Sequence, residues 1–407
     1  MAPEPRSAGP ARTEPISGRL DALIAWTREH GPAGSDPYDG LNSPLAPLAG
    51  LFGRWGRVVF LQIVRRSPAA LRSLARIPPS VNAKGVGLLA SAHLERYRTF
   101  GRKPDAEAAR RHLDWLEASC VRCGDGIGWG YPFDWAARAF FVPRNTPTIV
   151  GSSTIGKAFL LAHRILEEPR YLETARAVCR FIATGLHRHE SAEGICFGYT
   201  PRDRSRIFNA SLMGASLMAQ TAAAGAANGW LELARPATRF VLARQRGDGS
   251  WPYGAAAFHD WIDGQHTGFI LRDLGEILAA TGWEEIRGAI RSGMGFYAER
   301  LIAPDGRPLH RLDRPWPADI HACAEAILVF SDPVLRETTD RSLDDALRVA
   351  SWTFRNLSRD DGAFGYRRHR RRTDRTAHMR WGQAWMVHAL VRLEHALAVA
   401  DGPAIPV

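Results

Sequence analysis

Cysteine, lysine and long apolar runs are all scarce in this chain of 407 residues. Five scattered cysteines, an odd number, are typical of a reduced protein and argue against a disulfide-stabilised secreted domain. Cys120 and Cys123 form a C-x-x-C pair without a thioredoxin-type or zinc-finger context, so we interpret them as packing residues. No run approaches the ~18 apolar residues that cross a bilayer, and no signal-peptide core is apparent. We therefore predict a cytoplasmic protein, either free or peripheral to the inner membrane.

Positive charge, by contrast, is abundant, and arginine supplies nearly all of it. The formal net charge is +11 and the sequence pI is ≈ 9.9. Lysine occurs only at Lys84, Lys103 and Lys157. A basic surface suits acidic glycans, phospholipid headgroups or nucleic acid. Since no basic-aromatic nucleic-acid module is apparent, we predict no nucleic-acid partner.

Polar residues recur at nearly equal intervals along the chain, and each one opens an apolar stretch with helical spacing. In chain order they are Asn82, Asn145, Asn209, His266, His321 and His378. Such a period is typical of a structural repeat in which each unit is one supersecondary element.

Each repeat predicts an inner helix, an outer helix and a glycine-rich aromatic turn. Small residues in the inner helices permit close approach, whereas charged residues in the outer helices suit a solvated ring. The inner helices are predicted over 82–99, 148–165, 209–224, 265–280, 319–331 and 378–398. The outer helices are predicted over 105–121, 168–185, 229–245, 282–300 and 341–357.

Six two-helix units without polar capping repeats favour a closed ring over an open solenoid. We therefore predict an all-α fold, an (α/α)6 toroid over residues 81–400. A disordered N-terminus (1–18) and an N-terminal helical extension (19–80) precede it. Within the extension, 51–77 mixes apolar residues with arginines, which suits either a membrane interface or a helix on the outer wall, and we favour the wall.

Several stretches resemble known toroid proteins. The segment 237–251 (ATRFVLARQRGDGSW) resembles the Gln-Trp repeat of the terpenoid cyclase and protein prenyltransferase superfamily, and 263–274 (DGQHTGFILRDL) is also similar. The pattern from Asn82 to about Leu397 is closer to six-hairpin glycosidase-like proteins of bacterial polysaccharide gene clusters. Its motifs include 82–94 (NAKGVGLLASAHL), 143–153 (PRNTPTIVGSS) and 380–390 (RWGQAWMVHAL). The resemblance implies a toroid fold, but one fold hosts many activities.

The chain departs from the resemblance at the sites of known chemistry. It lacks the Asp-x-Asp-Asp motif of class II terpene cyclases and the Asp-x-Cys pair that zinc prenyltransferases place one repeat before the histidine ligand. Asp319, His321 and Cys323, with His378, superficially fit a zinc site. We interpret them as the start of a buried helix and predict no metal and no cofactor.

Two sets of residues are candidates for catalysis. Glycoside hydrolysis needs two carboxyl groups facing one cavity, and Asp263 and Asp319 each precede an inner helix in adjacent units. Helix capping is the alternative role for each. Proton abstraction beside a carbonyl uses histidine or tyrosine, and His266 and His321 occupy neighbouring repeats. A structural role is the alternative for both histidines.

Other aromatic and polar residues are candidates for stacking on or bonding to a substrate at the mouth of the ring. They are Trp129, Tyr131, Asn145, Asn209, Trp251, Trp261, His378, Trp381 and Gln383. The basic run 367–380 is predicted beside this mouth, either as a solvated loop or as a grip on an anionic ligand.

Together these features predict a carbohydrate-active toroid enzyme in cell-surface polysaccharide or glycoconjugate metabolism. Its substrate would be an acidic or lipid-linked saccharide, processed by hydrolysis, epimerisation or elimination. The alternatives are a terpenoid cyclase or prenyltransferase-like enzyme with an aromatic cavity, and a glycan-binding toroid without catalysis.

Overall fold

Helices dominate the computed structural model, which describes residues 14–66, 69–136, 141–225, 229–339 and 343–401. The helices are α1 (Glu14–His30), α2 (Ala46–Gly50), α3 (Gly53–Arg66), α4 (Ala69–Leu74), α5 (Ala83–Phe100), α6 (Lys103–Ser119), α7 (Ile149–Leu166), α8 (Pro169–Gly185), α9 (Phe208–Ala223), α10 (Trp230–Leu242), α11 (Gly264–Thr281), α12 (Glu285–Arg300), α13 (Ile320–Ser331), α14 (Pro333–Glu337), α15 (Leu343–Leu357) and α16 (Trp385–Asp401). A π-helical turn, Met379–Ala384, leads into α16.

The strands are short and belong to the loops between helices. They are β1 (Ala33–Gly34), β2 (Ser80–Val81), β3 (Val121–Cys123), β4 (Gly126–Gly128), β5 (Trp135–Ala136), β6 (Phe141–Val142), β7 (Arg188–Ser191), β8 (Gly194–Phe197), β9 (Ala318–Asp319), β10 (Arg367–Arg368) and β11 (Thr373–Asp374). All the pairings are antiparallel: β1 with β2, β3 with β4, β5 with β6, β7 with β8, and β10 with both β9 and β11.

Six inner helices form a closed ring. In order they are α5, α7, α9, α11, α13 and α16, and each packs against the next, with α16 returning to α5. The outer helices α6, α8, α10, α12 and α15 each cover the inner helix of their own unit. The predicted (α/α)6 toroid is thus confirmed, and its core is the apolar layer between the two rings.

The sixth outer helix comes from the other end of the chain, because α1 packs against α16. The sequence prediction placed residues 1–18 in a disordered segment, yet α1 begins at Glu14. Residues 1–13 lie outside the described part of the chain. The prediction also assigned the rest of α1 to the N-terminal extension. Because α1 is far from α16 in sequence, its residues carry no sign of the sixth repeat, which the two helices form together.

Small residues in the inner helices allow them to pack closely. A Cβ on Gly156 of α7 would lie 2.7 Å from the Leu217 side chain of α9, and one on Gly268 of α11 would lie 2.6 Å from Glu325 of α13. This crowding explains why the predicted inner helices are rich in Ala, Gly and Ser.

The repeated turns pack against the neighbouring outer helix. Gly249 has φ +89°, and a Cβ there would lie 2.4 Å from the backbone oxygen of Ser292. Gly306, in the next turn, has φ +91° and an equally close approach to Arg348. Glycine therefore recurs at these turns because the backbone conformation and the close contact both exclude a side chain.

The segment between α1 and α5 crosses the end of the ring at which the inner helices begin. Its first part runs along the π-helical turn: the Met379 N–H donates to the Ser35 carbonyl at 3.1 Å. Asp36 forms a two-bond ion pair with Arg380, at 2.7 Å for each bond. Farther along, α3 lies over the mouth of the ring. In the described part of the chain, every helix is too short or too polar to span a bilayer.

Candidate functional site

Two connected cavities lie at the mouth of the ring. The outer one, which we term the vestibule, has a volume of about 1050 Å³ and lies between α3 and the starts of α11 and α13. The inner one, which we term the recess, has about 210 Å³ and reaches the starts of α5 and α9. Tyr38, Trp261, Gln265, His266 and Trp381 line both cavities. A saccharide unit could therefore pass from the vestibule into the recess.

Asp263 and His266 form a dyad at the start of α11. Asp263 is the N-cap, and its Oδ1 accepts the backbone N–H of His266 at 2.7 Å. The His266 Nδ1 lies 2.9 Å from both carboxylate oxygens. If Nδ1–H donates to Asp263, the ring orientation is fixed and Nε2 remains for the cavity that His266 lines. The same carboxylate therefore caps the helix and positions the imidazole.

His321, one repeat later, has a different environment. It is 1% exposed, and neither ring nitrogen has a hydrogen-bond partner among the described residues. Its ring contacts Trp381 and Trp385, both with centroids at 4.6 Å. Burial, then the charges of Lys84 and Arg380, hold the pKa of His321 well below its usual 6.5. The lowered pKa favours the neutral imidazole, and both of its nitrogens are buried beside the recess that His321 lines.

Asp319 holds the surrounding residues in place. Its Oδ1 accepts the backbone N–H of His321 at 2.9 Å and the Trp381 indole N–H at 2.8 Å. Its Oδ2 accepts from the Arg367 Nε at 2.7 Å. Asp319 is 4% exposed, and both of its carboxylate oxygens are engaged in these hydrogen bonds. It therefore orients the Trp381 ring and the start of α13 rather than facing solvent.

Two basic residues of the recess were not among the sequence candidates. The Arg380 guanidinium, paired with Asp36, lies over the Trp381 ring at 4.9 Å and the Tyr131 ring at 5.6 Å. Lys84 also lines the recess. Lys84 stands two residues after Asn82 and Arg380 two residues after His378, so the repeat series carried the same signal for both. The ion pair of Arg380 with the distant Asp36 had no signal in the spacing.

Four of the predicted substrate-binding residues line the recess. The Tyr131 and Tyr199 hydroxyls are 3.2 Å apart, and Trp261 stacks on Tyr253 at 4.4 Å. Asn209, in the first turn of α9, is 3% exposed, and its Oδ1 has no partner among the described residues. Trp381 completes this wall. The recess thus combines flat aromatic faces with an unsatisfied amide oxygen.

The prediction that Trp129 and Trp251 line the site is wrong. The Trp129 indole donates to the Leu116 carbonyl and the Trp251 indole to the Val241 carbonyl, both at 3.0 Å. Both rings are buried where a turn meets an outer helix. The Gln-Trp pattern therefore marks packing, because Gln245 also bonds across to the next outer helix, at the Ala289 carbonyl.

Gln383, His378 and Asn145 also lie away from the cavities. The Gln383 amide bonds to the Phe364 backbone N–H at 2.9 Å and to its carbonyl at 2.8 Å. The His378 Nδ1 lies 3.0 Å from the Ser35 hydroxyl, and its ring meets the Tyr366 ring. Asn145 is exposed in a loop, since Thr148 is the residue that caps α7. The equal spacing in sequence placed Asn145 and His378 near the mouth, but it did not determine the direction of their side chains.

A further cavity, of about 750 Å³, opens where the inner helices end. Its charged groups largely pair with one another: Lys157 contacts both Asp273 and Glu276, and Arg272 pairs with Glu325 at 3.2 Å. These pairs link α7, α11 and α13. The His388 Nδ1 in this cavity also lacks a hydrogen-bond partner among the described residues. The recess, however, gathers both nitrogens of His321, the Asn209 Oδ1 and an aromatic wall, which makes the mouth the better candidate site.

Comparisons with known proteins agree with this architecture. The sequence matches no protein family model and no curated protein. Among solved structures, a cellobiose 2-epimerase from Bacillus thermoamylovorans has a TM-score of 0.67 and 10% identity, covering 95% of this chain and 99% of its own. A sugar epimerase from a ruminal bacterium has a TM-score of 0.62 and 11% identity, with coverages of 97% and 100%.

A glycoside hydrolase has a similar architecture. The GH76 α-mannanase from Bacteroides thetaiotaomicron has a TM-score of 0.59 and 11% identity, covering 80% of this chain and 88% of its own. At these identities, the likeness establishes a shared toroid fold. The arrangement of the mouth residues must supply the functional argument.

Proposed function

We propose that the chain is a carbohydrate-active enzyme that epimerises a saccharide by moving a proton at the carbon beside its carbonyl. The observation that carries the proposal is the pair of histidines facing one recess. His266 is oriented by a carboxylate, and His321 is a buried imidazole whose nitrogens have no hydrogen-bond partner among the described residues. Phe269 lies between them, with ring centroids 6.1 Å from His266 and 5.8 Å from His321.

Two imidazoles on different sides of one bound sugar can perform inversion. One takes the proton from carbon, and the other returns a proton to the opposite face. The aromatic faces of Trp261 and Trp381 suit the apolar face of a sugar ring. The epimerases with this fold support the same class of reaction.

Hydrolysis by Asp263 and Asp319 has less support. Hydrolysis needs one carboxyl to give a proton and the other to act as base or nucleophile. Asp263 is bound to its histidine, and Asp319 to Arg367 and Trp381. Neither carboxylate is left free for these roles.

The Arg380 guanidinium of the recess also disfavours a terpenoid cyclase. The recess is rich in aromatic rings, as a cavity for carbocations would be. However, Arg380 also lines it, and its positive charge opposes a carbocation at short range. This cation suits an anionic substrate instead.

We further infer that the substrate is acidic. Arg65, Arg66, Arg311 and Arg367 line the vestibule, while Asp263 and Asp319 are its acidic lining residues. The inner helices also begin here, and helix N-termini favour anions. A uronate or a phosphate-linked saccharide would gain from both effects. With a uronate, removal of the C5 proton beside the carboxylate, with departure of the group linked at C4, would instead give elimination.

A deuterium-exchange experiment tests the reaction class. The protein would be incubated in D₂O with reducing disaccharides and uronates, and the products would be followed by ¹H NMR. We expect solvent deuterium at the carbon beside the carbonyl, together with the new epimer. Uronates should react better than their neutral counterparts. Release of monosaccharides without exchange would instead indicate hydrolysis.

We propose, more specifically, that the substrate is a lipid-linked saccharide of cell-surface polysaccharide metabolism and that the enzyme acts on the cytoplasmic side of the membrane. An apolar surface leads from solvent into the vestibule. Its residues are Leu51, Phe52, Trp55, Val59 and Ile63, which are 52–80% exposed. Trp55, Val59 and Ile63 also line the vestibule. Arg54, Arg57 and Arg66 are exposed on the same helix, as contact with an anionic bilayer requires.

We expect the protein to sediment with vesicles that contain anionic phospholipid, and less so at high salt because screening weakens the arginine contacts. Trp55→Glu should abolish this binding, since it places a charge in the apolar surface. Trp115→Glu is the matched control, because Trp115 is 38% exposed on outer helix α6. Equal binding by Trp55→Glu and wild type, or equal loss in both variants, would contradict the membrane proposal.

A further inference from the structure

Lys84 is an unusual residue in this chain because it is a buried lysine without a counter-ion. It is one of three lysines among 53 Lys and Arg residues. It is 4% exposed, a rare environment for an unpaired lysine. The nearby Asp273 and Glu325 already pair with Lys157 and Arg272. In the described part of the chain, no carboxylate forms an ion pair with Lys84.

The backbone places the Lys84 amine at the floor of the recess. Asn82 caps α5 by accepting the Lys84 N–H at 3.1 Å, so Lys84 lies in the first turn. Its Nζ lies over the Trp385 ring at 5.0 Å and the Phe269 ring at 5.4 Å. Both rings also contact His321. The amine and this histidine therefore share the two rings.

The surroundings of Lys84 favour a neutral amine. Burial, then the charge of Arg380, lowers the pKa of Lys84 to about 7, while Glu325 and Asp273 act in the opposite direction and Arg272 adds to the lowering. A lysine buried among apolar groups and beside another cation is the usual form of a nucleophilic amine. Arginine could not serve this purpose, because its guanidinium stays protonated. The use of lysine in an arginine-rich protein is thus consistent with reactivity.

We propose that Lys84 forms an imine with the open-chain aldehyde of the saccharide bound in the recess. This inference takes its substrate class from the proposed function. The formation of an imine is a separate chemical step from the proton transfer proposed above and can be tested independently of it. The recess supplies what imine formation needs: an amine without an ion-pair partner among the described residues, aromatic walls that can hold the sugar, and a neighbouring imidazole.

The reaction balances without an added oxidant or reductant. The amine attacks the aldehyde carbon, the carbonyl electron pair moves to oxygen, and a proton passes from nitrogen to oxygen. A second proton, delivered by a protonated histidine, allows the C–O bond to break, and water leaves an iminium. Loss of the proton at the adjacent carbon gives an enamine, and reprotonation on the opposite face inverts that carbon. Water then hydrolyses the iminium and regenerates Lys84.

Lys84 would thereby lower the barrier to the proton transfer assigned to the two histidines. The positive nitrogen of an iminium withdraws electrons from the adjacent C–H bond more strongly than a neutral aldehyde does. His321, which shares two aromatic neighbours with Lys84, is suitably placed to take or return the proton. The amine and the imidazole would then act on adjacent carbons of the same sugar.

Reductive trapping tests the proposal on the full-length protein. Glycolaldehyde or a uronic acid would be added with sodium cyanoborohydride at pH 7, and modified peptides would be identified by mass spectrometry. We expect Lys84 to be labelled at least about tenfold faster than Lys103, because burial and the charge of Arg380 lower the pKa of the Lys84 amine to about 7. Lys103 is exposed, and Lys157 is held by two carboxylates, so both serve as internal controls.

The Lys84→Arg variant provides a second test of the proposal, because an arginine side chain can carry a positive charge at this position but cannot form an imine. We expect this variant to lose trapping and at least about 100-fold in kcat, while saccharide binding, followed by tryptophan fluorescence, is retained. Labelling of Lys103 in preference to Lys84, or wild-type turnover by Lys84→Arg, would overturn the proposal. Exchange at carbon without trapping would reject the imine and leave the proposed epimerisation intact.

Discussion

Replacement of His266 or His321 by glutamine is expected to lower kcat by roughly 10²–10⁴-fold, the usual contribution of a positioned general acid or base. This corresponds to about 3–5 kcal/mol of lost transition-state stabilisation. Glutamine retains a polar side chain but cannot carry a proton between carbon and solvent. Steady-state assays on the epimerisable sugar would measure the effect.

The two variants should also differ from each other. If each imidazole serves one face of the substrate, His266→Gln should still exchange deuterium into one epimer and His321→Gln into the other. Net epimerisation should fail in both. Exchange into both epimers by either variant would show that one base serves both faces, contrary to the two-histidine assignment.

His378→Gln is the matched control, because it changes the third histidine of the repeat series. His378 is 3% exposed but lies outside both cavities, against Ser35 and Tyr366. We expect lower thermal stability from the lost contact, with kcat per folded molecule close to wild type. A large loss of kcat in folded His378→Gln would indicate that repeat position, rather than access to the recess, determines function.

Asp36→Ala is expected to reduce the free energy of unfolding by about 3–5 kcal/mol, the usual effect of removing one partner of a buried ion pair. The Asp36 and Arg380 side chains are 4% and 6% exposed, and two hydrogen bonds join them. The variant leaves the Arg380 guanidinium buried without its counter-ion. Urea unfolding, monitored by circular dichroism, would measure the change.

Two further variants separate this effect from a general loss of charge. Arg380→Met combined with Asp36→Ala should recover part of the stability, because no unpaired charge then remains buried. Glu285→Ala removes the partner of Arg235, an exposed pair with 37% and 44% exposure, and should cost less than about 1 kcal/mol. Equal losses in the free energy of unfolding from Asp36→Ala and Glu285→Ala would show that the buried Asp36–Arg380 pair stabilises the protein no more than an exposed pair does.

The repeat made the ring predictable because each two-helix unit must bury its apolar face against its neighbours. Small residues marked the inner helices, and the polar residues at the helix starts marked the mouth. Of the residues that line the recess, Asn209, His266 and His321 belong to this polar series, whereas Tyr131, Trp261 and Trp381 were candidates as aromatic residues that could stack on a substrate. Trp129 and Trp251 were misassigned, since a recurrent aromatic residue in a turn serves packing as readily as binding.

Sequence alone therefore determined the class of fold and the end of the ring at which polar groups gather, because helical periodicity and repeat spacing are local properties of the chain. Only the tertiary structure decided which side chains face the recess. It placed Asp36 against Arg380 and α1 against α16, and both are contacts between distant parts of the sequence. Among the described residues, it also left Lys84 without an ion-pair partner and His321 without a hydrogen-bond partner, and the spacing of residues in sequence cannot show whether such a neighbour is present.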